Sequence, residues 1–270
     1  MKKIKKRSFL RLFIGRYFYI LKRYLEWQKS KHLFATTMKS TYYDHVIVSH
    51  SSPMIRKLSQ VKMQLQYNKK TNLALAIQHL DKIIIKPQQR FSFWYLVGNP
   101  TQKKGYLPGF SLNQGQLIET VGGGLCQLSN LIFWMSLHTP LTIMERYRHT
   151  YDVFPDANRT LPFGSGATVA YNYIDLQLLN NTAHTFQLKL WIENETLYGQ
   201  WCCDHVLEYT YKVREEGHQI SHFMAGKYMR ENKLYKLTID QQTQEEVRKQ
   251  LVVTNNALMM YNPLLDEYQK

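Results

Sequence analysis

Cysteine is scarce in this sequence, and the three cysteines present do not form a disulfide framework. Two of them, Cys202 and Cys203, are adjacent in a chain of 270 residues. That usage fits a reducing compartment, and it also fits any protein that avoids disulfides.

No C-x-x-C spacing occurs, and neighbouring strand residues point to opposite faces, so the run CCDH at residues 202–205 is not expected to bind a metal. The P-loop, G-x-G-x-x-G and HExxH motifs are missing as well, and we predict neither a cofactor nor a metal.

Long apolar runs are also missing, which bears on the first 27 residues. Many apolar residues follow a cluster of Lys and Arg there, but Arg11, Arg16, Lys22 and Arg23 interrupt every run before it reaches the length of a membrane span or a signal-peptide core. The apolar residues share one half of a helical wheel, so residues 1–30 are predicted to form a basic amphipathic helix. This helix is expected either on an anionic bilayer or packed on the domain with its basic face in water. Because nothing resembles an export signal, we expect a cytoplasmic protein, peripheral on the inner membrane face in the first case.

Charge and composition indicate a folded protein with an anionic partner. Hydrophobic residues make up 44% of the chain and aromatic residues 13%, including 19 Tyr, which excludes a disordered chain. The formal net charge of +15 favours a membrane surface, a nucleic acid or an anionic polymer, without choosing among them. Since the clearest basic cluster lies in the first 23 residues, no nucleic acid is expected as a partner.

A run of three glycines at residues 122–124 leads into Cys126 and an apolar segment. Residues 127–138 contain neither Gly nor Pro, which predicts a helix that ends before Pro140. Cys126 is therefore expected at or near a helix N-terminus. Free N–H groups and the helix dipole favour an anion at such a place and lower the pKa of a thiol. The alternative is a structural cysteine, because cysteine is among the most buried residue types.

These residues predict a site for acyl transfer to a thiol. Cys126 is the candidate nucleophile, and the backbone N–H groups of Gly123 and Gly124 are candidates for an oxyanion hole. A cysteine nucleophile needs a base, and His149 follows near the end of a predicted strand. The base needs an orienting group, for which Asp152 is the first candidate. Three other residues stay open for that role: Asp156, Asn158 and Asp175. The alternative for His149 is a half-buried histidine that bonds the backbone.

The periodicity of the chain predicts an α+β fold with a mainly antiparallel sheet and the Cys126 helix against it. Strands are predicted over residues 82–86, 90–94, 141–148, 168–178, 185–192, 196–202, 206–214 and 233–239. Helices are predicted over residues 54–67, 73–80 with Asn72 as cap, and 243–250, and a loop over 49–53. The expected organisation is a basic helix (1–30), an N-terminal extension (31–72), a core domain (73–204), and C-terminal strands with a short helix packed on the core (205–270).

Several short motifs together resemble a known bacterial family. They are Phe91-Ser92-Phe93, Val97-Gly98, Gly105-Tyr106, the run VGGGLCQLS at residues 121–129, Glu145-Arg146 with His149, Ala167-Thr168-Val169 and Asn180-Asn181-Thr182. Over about residues 73–192 they are similar to the VanW family, which is named for an accessory protein of vancomycin-resistance gene clusters. The resemblance implies a role in the cell wall and in glycopeptide resistance. Some larger, exported family members are linked to L,D-transpeptidation of peptidoglycan, which implies that Cys126 takes the acyl group and His149 acts as base.

Two functions of different classes follow. The first is a cysteine-dependent transpeptidase or peptidase-like activity on peptidoglycan peptides or their precursors. The second is a non-catalytic accessory or binding protein, held near the inner membrane face by its basic N-terminus. A shared open pocket for the Cys126 sulfur and the His149 ring would favour the first function.

Overall fold

A computed structural model of the chain describes residues 8–55, 62–113, 116–149, 151–153, 161–224 and 226–263, and it confirms the α+β class. The helices are α1 (Phe9–Lys29), α2 (Met63–Leu80), α3 (Phe93–Val97) and α4 (Cys126–Leu137). The strands are β1 (His45–Pro53), β2 (Ile84–Ile85), β3 (Arg90–Ser92), β4 (Pro108–Asn113), β5 (Gln116–Val121), β6 (Thr142–Glu145), β7 (Tyr151–Asp152), β8 (Gln177–Leu179), β9 (Phe186–Glu193), β10 (Thr196–Cys203), β11 (Tyr209–Met224), β12 (Lys227–Asp240) and β13 (Glu246–Met259). The described strands form sheets with the orders β1-β10-β9-β2, β11-β12-β13-β7, β3-β8-β6 and β4-β5.

Helix α4 packs across the sheet β1-β10-β9-β2 and fills the centre of the hydrophobic core. Gly199 in β10 allows the close approach, because a Cβ atom there would lie 2.7 Å from Cε of Met135. The indole N–H of Trp201, also in β10, donates to the Ser136 hydroxyl at 3.1 Å. The predicted helix is confirmed, and its first residue is Cys126.

The hairpin β9-β10 confirms the strands predicted over residues 185–192 and 196–202. Asn194 and Glu195 join the two strands, and both have positive φ angles of 46° and 58°. Positive φ at both central residues is what a two-residue type I′ turn requires. Alternate residues of both strands are buried in the core, as a sheet with one covered face demands.

The sheet β11-β12-β13-β7 is joined to the rest of the protein by polar contacts. The carboxamides of Asn232 and Asn255 both donate to the Phe163 carbonyl, at 2.7 Å and 3.2 Å. Strand β7 enters this sheet by parallel pairing with β13, while its neighbours pair antiparallel. The segment that follows His149 is therefore held by strands that lie about a hundred residues later in the sequence.

One helix predicted in the C-terminal region is wrong. Residues 243–250 read as a polar helix, but residues from Glu246 onward form β13, which pairs with β12 over its whole length. The long ladder and the Val and Leu residues that follow at 251–253 outweigh the helix propensity of Glu246 and its charged neighbours. Beyond residue 204, the described residues form strands joined by turns and contain no helix.

A second error concerns α2. This helix starts at Met63 and runs without a break to Leu80, so Asn72 lies inside it and does not cap a helix at residue 73. The helix also crosses the expected boundary between residues 72 and 73, and the four-part division of the chain stays a prediction. Residues 56–61 of the helix predicted over 54–67 lie outside the described part.

Three smaller errors have local causes. The strand predicted over residues 90–94 ends at Ser92, whose hydroxyl accepts the Tyr95 N–H at 3.1 Å and caps α3. The strand predicted over residues 168–178 is interrupted by a turn in which Ala170 and Ile174 exchange two backbone hydrogen bonds. The loop predicted over residues 49–53 belongs to β1, because pairing with β10 outweighs its Ser and Pro content.

Helix α1 is the predicted N-terminal helix, and its two halves differ. In the second half, Arg23 and Trp27 are buried on the core. The Arg23 guanidinium lies 2.7 Å from Glu145 Oε1, and the Trp27 ring lies 5.3 Å from that of Tyr95. No helix in the described ranges is long and apolar enough to cross a membrane. From residue 10 to residue 21, seven large apolar side chains are 50–65% exposed: Leu10, Phe13, Ile14, Tyr17, Phe18, Tyr19 and Leu21.

Candidate functional site

The glycine run before α4 is fixed by close backbone packing. Gly122 and Gly124 have positive φ angles of 75° and 94°, which favour glycine. Gly123 lies against Gly109 of β4, and a Cβ atom on Gly123 would come within 2.2 Å of the Gly109 carbonyl. A Cβ atom on Gly124 would come within 2.2 Å of the Lys69 side chain in α2. The glycine run therefore lies tightly between α2 and β4. Glycine is needed there because a Cβ atom has no space and because positive φ angles favour a residue without one.

Asn72 holds this loop from inside α2. Its side-chain N–H groups donate to the carbonyls of Leu107 and Gly123, both at 2.9 Å, and its Oδ1 accepts the Leu107 N–H at 2.8 Å. The side chain is fully buried. Sequence patterns cannot reveal this role, because they predict Asn72 as a helix cap and its partners lie 35 and 51 residues away.

Cys126 is the first residue of α4, as predicted. Among the described residues, the N–H groups of Gly124 and Leu125 donate to no backbone carbonyl. Leu125 occupies the N-cap position and supplies no side-chain cap. An uncapped helix start of this kind meets part of the electrostatic requirement of an oxyanion hole.

The Cys126 thiol is half-buried and donates to the Val169 carbonyl at 3.6 Å. Burial raises the pKa of this thiol above its ordinary value. The predicted lowering of the pKa is therefore wrong, because burial raises it more than the hydrogen bonds with the backbone of Val169 and Cys126 lower it. In this structure the resting thiol is protonated at neutral pH.

A cavity of about 380 Å³ opens at the N-terminus of α4. Four of the five predicted site residues line it: Gly124, Cys126, His149 and Asp152. Among the described residues, Cys126 and His149 face this cavity without a hydrogen bond between them. Gly123, the fifth predicted residue, packs behind the loop against Gly109.

His149 follows β6, on a segment that an isolated bridge between Tyr147 and Thr168 holds against the wall of the cavity. Burial, and then the nearby Arg148 cation, lower the pKa of His149 below its ordinary value. The ring is neutral at pH 7 and can accept a proton, which is the state a general base needs.

Asp152 lies at the end of the short strand β7, and its side chain is 5% exposed. Its Oδ2 lies 3.4 Å from the Arg230 guanidinium of β12 and accepts the Tyr261 hydroxyl at 3.0 Å. Asp156 and Asn158 lie outside the described residues. Asp175 is fully buried in another network, where it accepts the Ser92 hydroxyl at 2.5 Å, and it does not line the cavity.

Comparison with known proteins relates the sequence that forms this cavity to a family. The family model described as "VanW like protein" matches residues 68–202, which contain the glycine run, Cys126, His149 and Asp152. The "Vancomycin B-type resistance protein VanW" of Enterococcus faecalis (strain ATCC 700802 / V583) is 35% identical over 199 residues, covering 74% of this chain and 72% of that protein.

The chain belongs to the VanW family.

A second relative is the "Uncharacterized protein YoaR" of Bacillus subtilis (strain 168). It is 35% identical over 109 residues, which cover 40% of this chain and 34% of that protein. No solved structure is significantly similar to the chain. The match to the VanW model excludes all of α1 and all of β11–β13, although Arg230 of β12 contacts Asp152.

Two further polar residues of the VanW region shape the cavity wall and were not among the predicted site residues. Asn130 Oδ1 in α4 accepts the Ala167 N–H at 2.7 Å. Arg146 donates to the carbonyls of Gly164 and Gly166 at 2.6 Å and 2.9 Å. Together they fix the loop that carries Gly164, Gly166 and Thr168 along the cavity. The Glu145-Arg146 pair was part of the motif pattern, but nothing in the sequence alone linked Arg146 to this loop.

Proposed function

We propose that this VanW-family protein acts in glycopeptide resistance of the bacterial cell wall, through acyl transfer to Cys126 from peptidoglycan peptides or their precursors. One observation carries the proposal: the thiol of Cys126 and the neutral ring of His149 line the same cavity, at the uncapped N-terminus of α4. The name of the Enterococcus faecalis relative supports the resistance context.

The proposed reaction starts from the protonated thiol. The side chain leaves the Val169 carbonyl and transfers its proton to His149, so that the thiolate forms only when a substrate occupies the cavity. The sulfur attacks the acyl carbon and forms a thioester after a tetrahedral intermediate. The leaving amine takes the proton from the imidazolium. A second amine, or water, then attacks the thioester and returns the proton to the thiolate.

In this proposal the backbone N–H groups of Gly124 and Cys126, two residues that line the cavity, stabilise the negative oxygen of that intermediate. Removing one such donor typically slows acyl transfer by a factor of about 100 to 1,000. The predicted donor Gly123 is excluded from this role, because its N–H donates to the Thr120 carbonyl at 3.0 Å; its lack of a Cβ atom allows the loop to approach β4.

The test is the mass of the intact full-length protein after incubation with a synthetic stem peptide that carries an activated acyl group. We expect one acyl adduct, located on Cys126 by peptide mapping and lost in Cys126→Ser. Cys202→Ser is the matched control, since Cys202 is 1% exposed and lies in β10. Failure to form an adduct with any stem peptide, or full turnover by Cys126→Ser, would exclude acyl transfer.

The second candidate is a non-catalytic accessory protein on the inner surface of the membrane. The exposed apolar residues of α1 favour it, because seven large apolar side chains at one end of a helix are costly to leave in water. Arg11, Arg16 and Lys22 lie among them, as in helices that rest on anionic lipid. A cytoplasmic location is part of this second proposal.

A further inference from the structure

Two histidines and an aspartate meet on the surface just beyond the open end of the β9-β10 hairpin. Inside the hairpin, Phe186 pairs with Cys203. One step further out, Thr185 and Asp204 exchange two hydrogen bonds. The Asp204 N–H donates to the Thr185 carbonyl at 3.1 Å, and the Thr185 N–H donates to Asp204 Oδ1 at 3.0 Å. The next residues on the two sides are His184 and His205, whose ring centroids lie 5.1 Å apart.

The donor atoms of these three residues converge. Nδ1 of His205 lies 3.2 Å from Asp204 Oδ1, and Nδ1 of His184 lies 3.9 Å from the same oxygen. One donor atom from each residue can be chosen so that all lie within 4.8 Å of one another. In a tetrahedral zinc site with bonds of about 2.0–2.1 Å, two donor atoms lie about 3.4 Å apart. The distances from the two Nδ1 atoms to Asp204 Oδ1 lie below and above that value. Small rotations of the side chains are therefore enough to bring the three donor atoms into position for an ion.

The three groups are also available to a ligand. In the part of the chain that the structure describes, the two rings make no hydrogen bond or ion pair except those with Asp204. The side chains of His184 and His205 are 37% and 68% exposed. The Asp204 side chain is 25% exposed, so all three groups reach the surface.

We propose that His184, Asp204 and His205 bind a divalent transition-metal ion of the Zn²⁺ class, with water completing the coordination. Two imidazoles and one carboxylate are donors that such ions accept in open sites. The thiol of Cys203, fully buried, lies 3.6 Å from Asp204 Oδ1 and helps to orient the carboxylate.

The position suggests a stabilising role for the ion. His205 lies four residues before the start of β11, so a bound ion would fasten the hairpin to the segment that leads into the C-terminal sheet. The site is separate from the Cys126 cavity. Strand β1 pairs with Cys203 at His45 and lines the cavity at Ser52, and seven residues of strand span about 23 Å. The proposal is therefore independent of the proposed function.

Isothermal titration of the untagged full-length protein with ZnCl₂ at pH 7.5 tests the proposal. We expect one ion per chain, and at least tenfold weaker binding in His184→Ala and in His205→Ala. Asp204→Asn keeps the acceptor for Thr185 and should also weaken binding. His79→Ala, a change at an exposed histidine of α2, is the matched control and should bind as tightly as the wild type.

Thermal unfolding supplies a second measurement. Zn²⁺ should raise the Tm of the wild type and of Cys126→Ser, and should leave the Tm of the double variant His184→Ala/His205→Ala unchanged, because only a ligand of the folded state stabilises it. Mg²⁺ should have no effect on any variant. Zinc binding that survives the double substitution, or that disappears only in Cys126→Ser, would overturn the proposal, and so would the absence of binding at millimolar zinc.

Discussion

Gly109 and Gly123 lie back to back, so that a Cβ atom added to Gly123 would fall 2.2 Å from the carbonyl carbon and oxygen of Gly109. The contact joins β4 to the loop that delivers Cys126 to the start of α4. Because both partners are backbone atoms, no side-chain rotation can relieve the overlap. The position of the sulfur is thus set by a contact that contains no side chain.

Gly123→Ala should lower the free energy of unfolding by about 2 kcal/mol, the usual cost of forcing extra atoms into a packed site. Urea denaturation measures the change. Gly15→Ala is the control, because a Cβ atom there meets nothing within 4 Å and alanine is the better helix former in α1. Equal stability of Gly123→Ala and the wild type would mean that the loop is looser than the structure indicates.

The reactivity of Cys126 should depend on pH in the manner of a protonated thiol. Since burial raises its pKa, the alkylation rate with iodoacetamide should still be increasing at about pH 9. Cys126 should nevertheless react before Cys202 and Cys203, which are 1% and 0% exposed. The fast phase should be absent in Cys126→Ser. A rate that levels off below pH 8 would indicate a thiolate paired with His149, as the sequence alone suggested.

Arg230→Met should destabilise the protein by about 3 kcal/mol, because it leaves the buried Asp152 carboxylate without the guanidinium that lies 3.4 Å from it. Arg214→Met removes a similar pair with Glu246 on the surface, where the Arg214 side chain is 49% exposed. That control should cost about 0–1 kcal/mol. Chemical denaturation of both variants measures how much the contact between β7 and β12 stabilises the protein. A cost of Arg230→Met no larger than that of Arg214→Met would show that the contact contributes little.

The exposed apolar side chains in the N-terminal part of α1 should bind anionic membranes. We expect the full-length protein to co-sediment with vesicles containing phosphatidylserine and not with phosphatidylcholine alone, and salt should weaken the binding. Ile14→Asp/Phe18→Asp should abolish it, because both side chains are more than half exposed and would enter the lipid interface. Val206→Asp changes an equally exposed apolar residue far from α1 in sequence and is the control.

These substitutions are preferable to deletion of residues 1–27, since Arg23 and Trp27 are part of the core. An enzyme fused to the C-terminus should then report a cytoplasmic location in cells. Activity of that fusion only outside the membrane would remove the second candidate function and strengthen the first.

Local patterns were sufficient for some elements and insufficient for others. The start of α4 could be predicted because three glycines, a helix-forming run and Pro140 act within a few residues of one another. The strands of the hairpin β9-β10 could be predicted from alternation, whereas its turn at Asn194 and Glu195 was found only in the structure. The helix predicted over residues 243–250 failed because its partner strand, β12, decides its conformation and is invisible to a local pattern.

The site shows the same division. Cys126, Gly124, His149 and Asp152 could be placed in one cavity from residue chemistry and chain order. The contacts of Asn72, Arg146 and Arg230 could not be predicted. Their partners are carbonyl or carboxylate groups that are distant in sequence. The pKa of Cys126 was predicted in the wrong direction for a related reason: a helix N-terminus can be read from sequence, whereas the depth of burial depends on the whole fold.

The parallel pairing of β7 with β13 also sets the order in which the cavity can form during protein synthesis. Residues up to Asp152 leave the ribosome long before Leu258 and Met259, with which β7 must pair. Contacts of such large sequence separation form late, because the intervening chain must first lose its conformational freedom. A nascent chain that already contains Cys126 and His149 therefore still lacks the strand that pairs with β7, whose residues Tyr151 and Asp152 line the cavity. Cys126 is synthesised early, but the fold around its thiol is completed late. Between these two events the thiol is more accessible to oxidants than in the folded protein.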